Sequence, residues 1–269
     1  GFTIEDLWPG SVRHTEAGAL CSRRVACRAN VGPIDLSPPD GSRISFPWLP
    51  RWWGAGDVLL SRTLFVDTET TGLHGGTGTY AFVMGLGFFD GPEFVVEQYF
   101  LRDLSEERAL LVALNALWPR FDTIATFNGR AFDVPLLQTR YVMHRLACRI
   151  DPDQHLDLLM PARRLWRRRI ESCALTNIER KVFGAVRTGD VPGALIPTLY
   201  FQYLRRPDIR CLVPVFEHNV RDVVALAAIA VHFARLSWSE PDTLDGTLST
   251  MHPLEVLSVG LALRERGEL

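Results

Sequence analysis

The stretch Leu64-Phe65-Val66-Asp67-Thr68-Glu69-Thr70-Thr71-Gly72-Leu73 sets an apolar, strand-like run against two acids near its end. On a β-strand, side chains two apart share a face, so Asp67 and Glu69 present neighbouring carboxylates on one side. Like charges at the mouth of a core strand disfavour each other's ionisation, and a divalent cation removes that cost. The segment reads as half of a hard-metal site on a rigid strand, followed by a Gly-containing loop. The competing reading is a strand end whose acids simply face water.

Further acids stand at telling positions. In Thr126-Phe127-Asn128-Gly129-Arg130-Ala131-Phe132-Asp133-Val134-Pro135-Leu136-Leu137, a short apolar run enters an Asn-Gly turn and then a helix-like segment with Asp133 near its start. His218-Asn219-Val220-Arg221-Asp222 opens a strongly apolar helix over 223–236. His218 and Asp222, four apart, share a helical face. Magnesium and manganese prefer carboxylate and water oxygens, and a pair of such ions needs several carboxylates. Asp67, Glu69, Asp133 and Asp222 supply four.

Periodicity and punctuation give an α/β chain. Strands are expected over 62–68, 80–89 and 93–101, the last two joined by the turn Asp90-Gly91-Pro92. A helix follows from Ser105 to about Trp118, with Leu110, Leu111, Leu114 and Leu117 facing the core, then a fourth strand over 123–127. Helices fill most of the remainder, so the acids are expected to converge where the first and fourth strands end.

In FVDTETTGL, TFNGRAFDVPLL, HLDLLMPARRLW, SCALTNIER, GALIPTLYFQYL and HNVRDVVALA, the chain resembles the DEDD superfamily of 3′→5′ exonucleases, and within it the YprB-type, ribonuclease-H-like exonuclease family. These segments run from about residue 60 to 236. The resemblance implies a ribonuclease-H-like mixed β-sheet flanked by helices and two Mg²⁺ or Mn²⁺ ions. It implies Asp67 shared by both ions, Glu69 and Asp222 completing the water-activating ion, and Asp133 supporting the other. It makes His218 the general base, with a histidine at the spacing that the family's tyrosine branch uses; the alternative is a hydrogen-bonding histidine at a helix N-terminus. Thr68, Thr70, Gly72 and Leu73 are expected to cradle the terminal nucleotide, Leu73 as a wedge. Asn128 is a further candidate contact, although fixing the turn before Asp133 is its simpler role. Asp157 is open between an outer-sphere acid and a structural hydrogen bonder.

The implied substrates are 3′ ends of single-stranded DNA, with RNA as the alternative sugar. A non-catalytic nucleic-acid-binding module is the alternative from another class. A net charge of −2 argues against broad coating of nucleic acid. All basic residues but Lys181 are arginines, and Arg163, Arg164, Arg167, Arg168 and Arg169 form a dense block. Arg163 and Arg167 share a helical face that suits phosphates, or simply a solvated surface. Five cysteines without a C-x-x-C pair read as reduced thiols of a cytoplasmic protein rather than zinc ligands, and no run suits a membrane span.

Three regions are expected: a tryptophan-bearing extension over 1–58, the exonuclease domain over 59–238, and a linker with a terminal helix over 239–269. A start at Gly1 rather than Met suggests a trimmed chain, with a helical region expected beyond residue 269.

Overall fold

The computed structural model describes residues 1–27, 30–32, 34–36, 43–44, 58–72, 76–237, 249 and 251–265. Leu73, the tryptophans over 48–53 and the linker over 239–246 lie outside the described residues.

Strands β1 (Val12–Thr15) and β2 (Gly18–Cys27) follow a short helix, α1 (Ile4–Leu7). Two small ribbons come next, β3 (Asn30–Val31) with β4 (Ile34–Asp35), and β5 (Arg43–Ile44) with β6 (Val58–Leu59). The meander is β7 (Thr63–Thr70), β8 (Ala81–Asp90) and β9 (Glu93–Phe100), then α2 (Glu107–Leu117), β10 (Thr123–Thr126), α3 (Asp133–Met143) and β11 (His155–Asp157). The chain continues as α4 (Leu159–Trp166), α5 (Leu175–Lys181), α6 (Ile196–Arg205), α7 (Val213–Leu236) and α8 (Pro253–Glu265).

The main sheet has the order β1-β2-β9-β8-β7-β10-β11. Neighbours from β1 to β7 pair antiparallel, whereas β7–β10 and β10–β11 are parallel. The parallel pairs need crossovers, which helices on the sheet's faces provide. This is the mixed sheet flanked by helices that the sequence implies. Within the expected N-terminal extension, β1 and β2 are strands that continue the same sheet. The alternation over β2 is weak, with half-buried residues along most of its length, which hides it as a strand in the sequence. The three-residue β11 is too short to stand out from its apolar surroundings.

Alternation along β7 sorts its side chains. Leu64 and Val66 pack with α2 and α3, while Phe65 joins the core beneath α7. Asp67 and Glu69 continue the Phe65 row, which aims them toward α7. Helix α7 lies close on β8 because two glycines face it. A Cβ at Gly85 would sit 2.4 Å from Asn219 Oδ1, and one at Gly87 2.4 Å from Val223 Cγ1. Bulk at either position would lift α7, and with it His218 and Asp222, off the sheet.

Helix α7 begins at Val213, five residues before His218, with Pro214 in its first turn, a position where a missing N–H costs nothing. His218 is therefore inside the helix, which corrects the alternative of a histidine at a helix N-terminus. The expected arginine stripe is also shorter than its sequence suggests: α4 ends at Trp166, and Arg164 and Arg169 pair with Glu265 and Glu255 of α8. Trp166 donates to Glu255 at 2.8 Å, so α8 is docked on the domain. Among the described residues no helix is long and apolar enough to cross a membrane.

Candidate active site

Three elements deliver the acids. Strand β7 ends with Asp67 and Glu69. Parallel β10 leads into a turn where Asn128 adopts φ 66°, a left-handed conformation asparagine tolerates better than most residues. That turn hands the chain to α3, whose first residue is Asp133. Helix α7 supplies His218 and Asp222 one turn apart.

Asp157 makes structural hydrogen bonds, and its charge also acts on Asp133. Its carboxylate accepts from the backbone N–H of Asn128 (2.7 Å), Arg130 (3.1 Å) and Leu159 (3.1 Å), closing the turn before Asp133 and starting α4.

Three of the acids, Asp67, Asp133 and Asp222, have distinct local partners. Asn219, fully buried, donates to Asp67 Oδ2 at 2.8 Å and accepts from Gln98 at 2.7 Å, while Gln98 accepts two bonds from Arg23. Thr68, pointing to the opposite face from Asp67, donates to Asp133 Oδ1 at 2.5 Å. Asp222 Oδ2 lies 3.6 Å from His218 Nε2, and its Oδ1 is 2.6 Å from Arg187 Nη1. That oxygen is buried, and no described group meets it with hydrogen-bond geometry.

The electrostatics are unfavourable for bare carboxylates. Burial, then Asp222, Glu69 and Asp133, push Asp67 well above the usual carboxylate range, against the Asn219 hydrogen bond. Burial and the charges of Asp222, Asp133 and Asp190 raise Glu69 to about 8. Burial raises Asp133 to about 6, with Thr68 opposing. One arginine enters this field. Arg187 pairs with Glu179, Asp190 and Asp222, and those charges outweigh its burial and raise its pKa. Asp190 in turn is 2.8 Å from His218 Nδ1.

Among the described residues, no three His, Cys, Asp or Glu side chains form a ready coordination cluster. Asp67 turns to Asn219, Asp133 to Thr68 and Asp222 to Arg187. The residues nevertheless fit divalent cations: the donors are hard oxygens, and burial together with neighbouring acids disfavours the ionisation of Asp67 and Glu69 in the absence of a cation.

Beside the acids opens a cleft of about 360 Å³, lined by Asp67, Thr68, Thr70, Gly72, Asn128 and Asp133, with Phe132, Leu136 and Thr139 of the α3 region as its far wall. Four of the expected substrate contacts thus face one cavity. Arg163 and Arg167 are exposed and do not line it.

Sequence reasoning missed Asn219, Gln98, Arg187 and Asp190. Gln98 had a signal, a polar residue inside the apolar strand run Phe94–Leu101. Arg187 and Asp190 had none, since they sit in a loop whose path no periodicity reports.

The profile of the RNase_H superfamily matches residues 64–234, a span holding all four acids and His218. The chain is 34% identical over 177 residues to the Bacillus subtilis (strain 168) protein named Uncharacterized protein YprB, over 65% of this chain and 43% of that protein. It thus spans less than half the length of that relative. In fold it is similar to the family B DNA polymerase from the hyperthermophilic archaeon Pyrobaculum calidifontis, with a TM-score of 0.50 and 16% identity over 76% of this chain and 29% of the polymerase.

Proposed function

The chain belongs to the RNase H superfamily, and from that premise we propose that it is a metal-dependent 3′→5′ exonuclease of single-stranded DNA. The observation that carries this reading is the convergence of four acids on one site, where burial and neighbouring acids disfavour ionisation without a cation. Asp67, Glu69 and Asp133 are desolvated, neighbouring acids add to the rise at Asp67 and Glu69, and neutral groups, Asn219 and Thr68, hydrogen-bond Asp67 and Asp133. Such a set gains ionisation and order together when cations arrive.

Asp67, Glu69, Asp133 and Asp222 would hold two Mg²⁺ or Mn²⁺ ions, Asp67 between them. Bound there, the ions would stabilise the attacking and leaving oxygens of an in-line displacement at phosphorus. The chain's own groups do the rest. His218 Nε2 takes a proton from the attacking water. Asn219 keeps Asp67 turned to the site, and Thr68 does the same for Asp133. The adjoining cleft takes the terminal nucleotide, with Thr68, Thr70, Gly72 and Asn128 along it and the exposed Phe132 ring as a surface for a base. Leu73 is a further contact on this reading. Arg163 and Arg167 would meet phosphates farther along the strand.

RNA is the alternative substrate, because cleft contacts to a 2′-hydroxyl decide the sugar. A non-catalytic binding module is the second reading, and the Arg187–Asp222 ion pair favours it by occupying one acid with a fixed cation.

The test is a time course on 5′-labelled DNA and RNA oligonucleotides with Mn²⁺, Mg²⁺ or EDTA. The expected result is a ladder shortening from the 3′ end, abolished by EDTA and by Asp67→Ala. Intact oligonucleotides of both sugars under every metal would move the assignment to the binding module.

A further inference from the structure

The loop between α5 and α6 is tied down at both ends of its approach to the site. Arg187 joins it to Glu179 of α5 through two bonds, at 3.2 and 2.5 Å, and to Asp222 of α7 at 2.6 Å. Ala185 N–H adds a bond to Glu179 O at 2.9 Å. Gly189 adopts φ +67°, a left-handed turn that most side chains resist. The next residue is Asp190.

Both oxygens of Asp190 are engaged. Oδ2 pairs with Arg187 Nη1 at 3.1 Å, and Oδ1 faces His218 Nδ1 at 2.8 Å with Arg221 Nη1 at 3.5 Å. A carboxylate flanked by two arginines accepts, so Nδ1 is the donor and carries the ring hydrogen. In the neutral ring the lone pair is then on Nε2, on the side facing Asp222 Oδ2. Their 3.6 Å separation is too long for a hydrogen bond, so Nε2 keeps its lone pair without a hydrogen bond to Asp222.

We infer that Asp190 is a positioning residue for His218: it fixes the ring's orientation and tautomer so that Nε2 accepts the proton of the attacking water. In that step an O–H bond of water breaks and an Nε2–H bond forms, while the water oxygen forms a new P–O bond and the bond from phosphorus to the strand's 3′ oxygen breaks, its electron pair leaving on that oxygen. The Nδ1–H stays with Asp190, whose charge faces the imidazolium so produced. This is how a histidine at the tyrosine branch's spacing serves as base: the loop, not the helix spacing, sets its direction. The inference rests on His218 being the general base.

The test is a double-mutant cycle on the hydrolysis of a 5′-labelled oligonucleotide, with kcat and KM measured separately. Asp190→Asn is expected to lower kcat about 10- to 100-fold with KM unchanged, a loss no greater than the roughly 10²–10⁴-fold contribution of general-base catalysis. Asp190→Glu should recover part of the loss. In a His218→Ala background, Asp190→Asn should cost less than about twofold. Equal fractional losses in both backgrounds, or an unchanged kcat, would overturn the inference and leave the nuclease reading standing. A His218→Ala protein with wild-type kcat would overturn the base assignment and this inference with it. A measurement without turnover decides the case for an inactive protein. ¹⁵N-edited NMR should show His218 protonated at Nδ1 and change in Asp190→Asn; an Nε2–H tautomer in the wild type contradicts the inference.

Discussion

Glu107 is buried in the apolar structure and Asp67 is half-buried at the edge of the cleft, on opposite faces of one sheet, and they are satisfied in opposite ways. Glu107 accepts from Arg140 Nε at 2.6 Å and Nη2 at 2.5 Å, and lies 2.7 Å from His144 Nε2. Arg140 also donates to Thr77 O and stacks on Tyr80, so the pair braces the segment following β7. Asp67 has a neutral amide as its side-chain partner and three other acids as electrostatic neighbours. A buried acid alone therefore marks nothing.

The widest separation between the two regions should appear in single substitutions. Asp67→Asn is expected to cut turnover by at least about 10³-fold, several kcal/mol of transition-state stabilisation, while the metal-free fold keeps or gains stability. Arg140→Met should do the reverse, losing about 3–5 kcal/mol of stability by stranding Glu107. Adding Glu107→Gln should recover much of that loss. Chemical denaturation beside initial rates checks both. An Asp67→Asn protein as destabilised as Arg140→Met would erase the contrast.

The pH dependence of metal-free stability sharpens it. Glu69, raised to about 8, and Asp133, raised to about 6, hold protons in the folded state that the unfolded chain has released. Their contribution is fully present below the unfolded values near 4 and is lost as pH rises through 6 and then 8. A tenfold difference in proton affinity between the folded and unfolded chains is worth about 1.4 kcal/mol at most. Denaturant midpoints should fall from pH 5 to 8 without metal and flatten with saturating Mn²⁺. A metal-free midpoint that rises over this range would contradict the reading of these acids as unpaired.

The smallest effect belongs to the exposed arginines. Arg167→Ala is expected to weaken oligonucleotide binding uniformly across sequences and reduce the salt slope by about one, with kcat unchanged. An unchanged slope would remove Arg167 from the strand's path.

The contrast is partly legible in the chain itself. Apolar runs bounded by turns mark β7, β8, β9 and β10, and the spacing of Asp67 and Glu69 puts them on one face. The ordered acids and His218 are readable because strand ends and helix turns convert sequence spacing into direction. Their partners are not. Arg140 reaches Glu107 across 33 positions, and Gln98 reaches Asn219 across 121. Such pairings come from tertiary packing. Asp190 approaches His218 through a glycine-hinged loop, where local pattern carries no direction. The start of α7 at Val213 is hidden for another reason: its first turns mix polar and half-buried residues, so the apolar run alone marks the helix too late.

Calorimetric titration of Mn²⁺ into the metal-free protein at about pH 7.5, beside Asp67→Asn, tests the claim that these acids await cations. Two ions bound by the wild type, with protons released on binding and the uptake lost in Asp67→Asn, is the predicted result. No uptake by the wild type, or equal uptake by the variant, would contradict it.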